Sequence, residues 1–472
     1  RDGLLPMLRR PPLTGPPGPS FCQAIDGGLL SYTDGDSWQE GPGIDEYLML
    51  TRFIGMQPAI GVRLQWGTDD EVQEAVSLVE YCNGGPNTRM GALRVSRGHP
   101  ASYNVSVLYL GNEIGVQNRF SIPNKKFPDN IGGPASAEEY GSILQQLVPA
   151  LLTVDPKLKL VAANGCPNIS QTPSLFPGII TGKVYFRERW LRHAAFTWAG
   201  PVLKAAGAHL FAHSYHYYAK AVMHWDQMTA TAAAKSAREL IEGLYAFRQM
   251  LDRGTEGTGL PMQKISLDEW GAIGPPWAVE VVGAVHAIYT ASTFALLFME
   301  FPKLKIAAAN FYAPINEGGI AVGPHDASLT TIGLVVQMYA RHQGQRLLRG
   351  PLNERNSDDL LSTVTIDSAE ARVLVTVVNR NAAAPRDLHL EGFGLWTKPT
   401  EWWRSPVSLL ETRFVPGVIG HAGNVSLKQA SLIELVRPKQ KGKSASSRRE
   451  LPLQASAIQI PAYSVMQVVL PC

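Results

Sequence analysis

Cysteine is scarce in this chain of 472 residues, which contains only Cys22, Cys82, Cys166 and Cys472. No two of them have the Cys-x-x-Cys spacing that is typical of a structural zinc ion, so a metal site is not expected. The sequence also leaves the disulfide pairing open, because four cysteines allow three complete pairings.

Long apolar runs are missing as well. No charge-free apolar stretch reaches the roughly 18 residues that a membrane-spanning helix needs, so no membrane partner is expected. The chain begins with Arg1 and shows no signal-peptide pattern, so we expect that an upstream piece is missing. Asn-x-Ser sequons at Asn104, Asn168 and Asn424 favour a secreted or extracellular glycoprotein. Asn104 enters a predicted strand, which argues against a glycan there.

Neither sign of charge is in large excess. Lys and Arg number 43 against 40 Asp and Glu, so no polyanionic partner is indicated for the chain as a whole. The dense basic run at residues 437–449 lies among Ser, Gly and Pro without interleaved aromatics. This composition is typical of a solvated loop rather than a nucleic-acid site, so no nucleic-acid partner is expected. The oligomeric state stays open.

What the sequence does contain is an alternation of strand and helix patterns. Residues 1–45 are rich in Pro and Gly and are predicted to form loops. Over residues 46–345, strand patterns near positions 58, 105, 158, 209, 264 and 305 are separated by helical patterns. This alternation predicts an α/β fold, a (β/α)8-type barrel that lacks its first two strands. Over residues 346–472, strand patterns follow one another without helices and predict a C-terminal antiparallel β-sandwich.

Polar side chains occupy the C-terminal ends of several predicted barrel strands. Active sites of βα barrels lie at these ends, where a buried carboxylate is costly unless it is hydrogen-bonded or used in chemistry. The candidate site residues are Asn112, Glu113, His216, Tyr218 and Glu269. Trp270, directly after Glu269, suits either stacking on a sugar face or packing inside the barrel.

These residue types match the needs of glycoside hydrolysis. One carboxyl group protonates the leaving oxygen, and a second attacks the sugar or activates water. Glu113 and Glu269 are predicted to fill these two roles. An amide such as Asn112 can bind a sugar hydroxyl, while His216 and Tyr218 can orient the nucleophile. Each motif alone also fits a structural role, as a helix cap, a salt bridge or a core histidine, but their occurrence on successive strands favours catalysis.

The ordered set of motifs resembles glycoside hydrolase family 51, the α-L-arabinofuranosidases. The segment GHPASYNVSVLYLGNE at 98–113 is similar to the family's segment that ends at its acid/base, and 67–84 is similar to the helix before it. SYHYY at 214–218 resembles a strand end beside the sugar, and LDEW at 267–270 resembles the nucleophile strand. The resemblance covers roughly residues 40–345.

The resemblance implies that Glu113 is the general acid/base, Glu269 the nucleophile and Asn112 a sugar-binding amide, with His216 and Tyr218 beside the nucleophile. It implies a retaining mechanism without a cofactor, with the two carboxyl groups about 5–5.5 Å apart. The expected activity is release of terminal α-L-arabinofuranosyl residues from arabinose-containing polysaccharides or glycosides. Two alternatives stay open: another barrel glycosidase of the same clan, such as an endoglucanase, or an inactive sugar-binding relative that the missing strands would explain.

Overall fold

The fold is given by a computed structural model. The chain divides into two compact units, residues 1–165 with 201–211, and residues 166–200 with 212–472. The predicted domains 1–45, 46–345 and 346–472 stay predictions. The described residues are 43–62, 64, 69–112, 137–163, 199–218, 230–271, 278–311, 318–322, 326–348, 360–367, 372–381, 386–389, 431–436, 446–447, 457–460 and 464–471.

The first unit contains parallel strands separated by helices. Its helices are α1 (Ile44–Phe53), α2 (Asp69–Asn83), α3 (Arg89–Ser96) and α4 (Ala137–Val154). Its strands β1 (Ala59–Val62) and β3 (Lys159–Ala162) both pair in parallel with β2 (Val107–Leu110). The sequence patterns do not predict α3. Its N-cap is Thr88, whose hydroxyl accepts the N–H of Gly91 at 3.2 Å, and threonine is a residue type that favours this position.

A partly buried carboxylate anchors α1 in this unit. Asp45 accepts hydrogen bonds from the hydroxyl groups of Tyr81 and Tyr103, each at 2.8 Å. Burial, together with the Asp45 charge, raises the pKa of both tyrosines, so both phenols stay protonated donors. Helix α1 is thereby tied to α2 and to the segment before β2.

The second unit continues the alternation. The strand β4, whose first two residues belong to the first unit, pairs in parallel with β5, and β5 pairs in parallel with β6. The elements are β4 (Leu210–Tyr218), α5 (Ala230–Thr255), β5 (Lys264–Gly271), α6 (Ala278–Leu304), β6 (Ile306–Phe311), β7 (Ile320–Val322), β8 (Ala327–Leu329) and α7 (Thr331–Ala340). Both β4 and β5 include the polar residues that the sequence analysis assigns to their C-terminal ends.

The remaining strands are antiparallel, as predicted for the C-terminal region. They are β9 (Arg346–Leu348), β10 (Leu360–Asp367), β11 (Arg372–Asn379), β12 (Arg386–His389), β13 (Ser431–Val436), β14 (Ser446–Ser447), β15 (Ala457–Ile460) and β16 (Ser464–Pro471). One sheet has the order β14-β13-β16-β11-β10-β9, and β12 pairs with β15. Parallel strands that alternate with helices, followed by antiparallel strands, confirm the predicted fold class.

A buried histidine connects α7 to the antiparallel sheet. The ring nitrogens of His342 lie 2.7 Å from the hydroxyl oxygens of both Thr365 and Thr376. The Gln467 amide group donates to Thr376 and to the Met338 carbonyl, each at 2.9 Å. Burial lowers the pKa of His342 to about 4, so near neutral pH the ring donates through one nitrogen and accepts through the other.

Trp270 is part of the packed interior of the second unit. Its side chain is 0% exposed, and it packs edge-to-face against Phe294 and Phe311 at centroid distances of 5.1 and 5.2 Å. Gly271 follows with φ +153°, and a Cβ there would touch the Phe311 ring at 3.5 Å. This environment supports the packing alternative for Trp270 over stacking on a sugar.

Acid should destabilise the protein through its buried histidines. Burial lowers the pKa of His213 and of His342 from 6.5 to about 4, so between these values the unfolded chain binds protons that the folded chain does not. Stability is therefore complete above about pH 6.5 and falls on acidification, by roughly 2 kcal/mol per histidine down to pH 5. Thermal unfolding measured across this range should show the decline. His342→Gln, which does not titrate, should remove the share of His342 and leave that of His213, so the decline should become shallower. An unchanged slope would contradict the assignment.

Truncation of Trp270 should reduce stability rather than sugar binding. Trp270→Ala removes a fully buried ring and should lower the free energy of unfolding by about 3–5 kcal/mol. Phe301→Ala is the matched control: Phe301 is 43% exposed, so its removal should change stability by less than about 0.5 kcal/mol. Denaturant titration measures both, and an unchanged midpoint for Trp270→Ala would refute the packing role.

Candidate active site

The register between β4 and β5 places His216 beside Glu269. Ser214 pairs with Ser266, and the next aligned pair is His216 with Glu269. Over this interval β5 therefore has one residue more than β4. Between Leu267 and Trp270, β5 likewise has one residue more than β6. An extra residue of this kind is a β-bulge, which bends a strand and turns its side chains to new directions.

The bulge brings two adjacent acids to one imidazole. In a regular strand neighbouring side chains point to opposite faces, but here both Asp268 and Glu269 approach His216. Glu269 Oε2 lies 3.3 Å from His216 Nδ1, and Asp268 Oδ2 lies 3.7 Å from His216 Nε2. The backbone N–H of Tyr215 donates to Asp268 Oδ1 at 3.2 Å. The result is a carboxylate, an imidazole and a second carboxylate in contact.

The three side chains differ in solvent exposure, and the difference leaves Glu269 accessible to a substrate. The His216 side chain is 1% exposed, Asp268 is 11% exposed and Glu269 is 19% exposed. The imidazole therefore lies beneath the two acids, and Glu269 has the most access to solvent. Charges held at low solvent exposure interact more strongly than charges in water. The Glu269 carboxylate can therefore act as a nucleophile while its contact with the buried His216 fixes its orientation.

Tyr140 holds the ends of two strands in the first unit. Its hydroxyl donates to the carbonyl of Leu110 at 2.6 Å and accepts the N–H of Ala163 at 3.0 Å. These are the C-terminal end of β2 and the residue after β3. Burial raises the pKa of Tyr140, so the phenol keeps the proton that it donates.

Asn112 follows this fixed strand end. Gly111 has φ +90°, a left-handed conformation that favours glycine, and it turns the chain after β2. Asn112 is exposed directly after this turn. Glu113 lies outside the described residues, so its predicted separation from Glu269 stays a prediction.

Three of the predicted site residues lie on neighbouring strands of the second unit. His216 pairs with Glu269, and Tyr218, the last residue of β4, pairs with Gly271. Asp268, the other acid of the LDEW motif, is not among the site residues predicted from the sequence. Its contact with His216 depends on the bulge, because regular alternation would turn Asp268 to the other face of the sheet.

Neither a metal cluster nor a membrane span is seen in the described part of the chain. There, no group of three or more His, Cys, Asp or Glu side chains is arranged to hold a metal ion. No helix in the same residues has the length and apolar character needed to cross a membrane.

Comparison with known proteins gives matches in sequence and in fold. Residues 28–200 match the family model "Alpha-L-arabinofuranosidase 1 domain". A "Probable alpha-L-arabinofuranosidase C" from Aspergillus clavatus is 28% identical over 250 residues, which cover 53% of this chain and 43% of the relative. An "Intracellular exo-alpha-(1->5)-L-arabinofuranosidase" from Acetivibrio thermocellus is 27% identical over 29% of this chain and 23% of the relative.

A solved structure matches over more of the chain. The thermostable GH51 α-L-arabinofuranosidase of Thermotoga petrophila has a TM-score of 0.60 and 18% identity, over 91% of this chain and 78% of that one. This likeness shows the fold. By sequence, the chain spans 43% of the length of the Aspergillus clavatus relative. In sequence and in fold, the chain is thus similar to the α-L-arabinofuranosidases of glycoside hydrolase family 51, and the resemblance predicted from its motifs is confirmed.

Proposed function

We propose that this protein is a retaining glycoside hydrolase that releases terminal α-L-arabinofuranosyl residues from polysaccharides or glycosides. The observation that carries the proposal is the contact between Glu269 and His216 near the C-terminal ends of β4 and β5. There the partly exposed carboxylate of Glu269 contacts the buried imidazole of His216. Glu269 is also the residue that the resemblance implies to be the nucleophile. The arabinofuranosidase relatives support the choice of sugar.

The reaction proceeds in two steps with Glu269 as the nucleophile. Its carboxylate attacks the anomeric carbon while the protonated Glu113 carboxyl gives its proton to the leaving oxygen, so the glycosidic bond breaks and an arabinosyl ester forms. Glu113, now a carboxylate, takes a proton from water as that water attacks the ester. Arabinose leaves with its configuration retained, Glu269 is again ionised and Glu113 is again protonated, so no cofactor is required.

The other predicted residues bind and orient the sugar. Asn112 offers an amide to a sugar hydroxyl, and its exposure after β2 suits contact with a ligand. His216 holds one oxygen of Glu269, and Tyr218 stands two residues further along the same strand. The substrate is therefore an arabinose-containing polysaccharide or glycoside with a free terminal arabinofuranose.

We propose a secreted or extracellular location on the basis of the three sequons. Asn168 and Asn424 lie outside the described residues. Asn104 is exposed with φ +55° and lies before β2, which begins at Val107. The expectation that Asn104 enters the strand is therefore wrong, and the argument against a glycan at this site is removed.

Replacement of the nucleophile should abolish turnover. After the wild-type enzyme has been shown to prefer the arabinofuranoside in a panel of aryl glycosides, Glu269→Ala should lower kcat by about 10⁴-fold or more. Added azide should attack from the face that Glu269 vacates and give the β-configured arabinosyl azide, detected by NMR. An α-configured azide would show that the two glutamates have the opposite roles. Glu256→Gln, an exposed charge removal after α5, should leave kcat unchanged.

Replacement of the acid/base should depend on the leaving group. Glu113→Ala should lower kcat/KM strongly for substrates with alkyl or sugar leaving groups, by about 10²–10⁴-fold, because these need a proton to depart. Aryl leaving groups of low pKa should lose far less in the first step. Steady-state kinetics over a series of substituted phenyl arabinofuranosides measures the slope. Equal losses for good and poor leaving groups would exclude Glu113 as the acid.

A further inference from the structure

We propose that Asp268 is a positioning residue for Glu269 and acts through His216. The inference rests on the proposed function, because it assigns a role beside the nucleophile of that same site. The three side chains form a series in which each carboxylate faces a different nitrogen of one buried ring, and we call this series the acid–imidazole–acid cluster.

Asp268 is held by a hydrogen bond on one oxygen and faces the imidazole with the other. Oδ1 accepts the Tyr215 N–H at 3.2 Å, and Oδ2 faces His216 Nε2 at 3.7 Å. The side chain is 11% exposed. A carboxylate at this depth is costly unless it has such partners. The β-bulge that creates this arrangement interrupts the pairing of β5, which is a local cost consistent with a functional use.

The imidazole of His216 faces an acid through each nitrogen. Nδ1 lies 3.3 Å from Glu269 Oε2, on the other side of the ring from Asp268. A neutral imidazole has one N–H and would turn a lone pair towards one of the two carboxylates. A ring that carries protons on both nitrogens donates to both acids, and this is the form that the proposed role of Asp268 requires. Asp268 thereby keeps Nδ1–H directed at Glu269.

This contact fixes the rotation of the nucleophile. A carboxylate must present one oxygen to the anomeric carbon within a few tenths of an ångström of the productive position. His216 holds the Oε2 oxygen, so the plane of the Glu269 carboxylate is set by a ring that is itself set by Asp268. The order nucleophile, imidazole, second acid resembles that of hydrolase triads, but here the imidazole donates to the nucleophile rather than accepting its proton.

The alternative is a purely structural role, in which Asp268 only links β4 to β5. The two roles differ in what they change: a structural link alters the stability of the strand pair, whereas a positioning residue alters kcat. The 3.7 Å contact is longer than an ordinary hydrogen bond, so its contribution to stability is small. Its effect is expected on orientation instead.

Asp268→Asn tests the proposal. The asparagine has one acceptor oxygen, so it cannot serve both the Tyr215 N–H and His216, and it lacks the charge. We expect kcat for an aryl α-L-arabinofuranoside to fall about 10–100-fold, while KM changes less than about threefold and the unfolding midpoint stays the same. The control Glu256→Gln should leave all three unchanged. An unaltered kcat would overturn the proposal. A lower kcat accompanied by a lower unfolding midpoint would overturn it as well, because the loss would then reflect stability.

A second measurement decides the arrangement without catalysis. The side-chain ¹⁵N signals of His216, assigned by their loss in His216→Gln, should show both nitrogens protonated in the wild-type protein and one unprotonated nitrogen in Asp268→Asn. A neutral ring in the wild type would reject the proposed role of Asp268. If the wild type hydrolyses no arabinofuranoside, the proposed function fails, but the NMR result still decides whether Asp268 controls the imidazole.

Discussion

The contact of one buried imidazole with two neighbouring carboxylates is the constraint on which the candidate site depends. It requires that Asp268 and Glu269, consecutive in the chain, reach the same side chain, which a regular strand does not allow. The additional residue in β5 relative to both neighbouring strands provides this geometry. The chemistry proposed for Glu269 therefore follows from an irregularity in strand pairing and not from the acid alone.

Packing on the residues around the bulge holds it in place. Leu267 before the acids and Trp270 after them are both fully buried, and Trp270 lies among aromatic rings. These apolar anchors fix the strand on either side of an interval whose own pairing is interrupted. Because protein interiors are close-packed, Leu267 and Trp270 can move little, and the two acids between them keep their distances from His216. Stability and site geometry are thus linked through the same short strand.

Much of this arrangement was predictable from residue patterns. Apolar strands separated by amphipathic helices indicated the βα alternation, and polar residues at strand ends indicated His216, Tyr218 and Glu269. Helix α3 was not predicted, because it is short and its N-cap Thr88 follows closely on the Gly-Gly-Pro sequence that ends α2. The burial of Trp270 could not be decided from sequence either, since an aromatic residue beside a catalytic acid suits both packing and sugar binding.

The sequence by itself determined the periodicities, and through them the order of strands and helices and the candidate acids. It also carried the motifs that resemble the arabinofuranosidases. Only the tertiary structure decided that Asp268 contacts His216, because register depends on how neighbouring strands pair and not on any local preference. The spacing of apolar residues predicts where helices and strands form. A contact between residues more than fifty positions apart forms only when the strands that carry them pair.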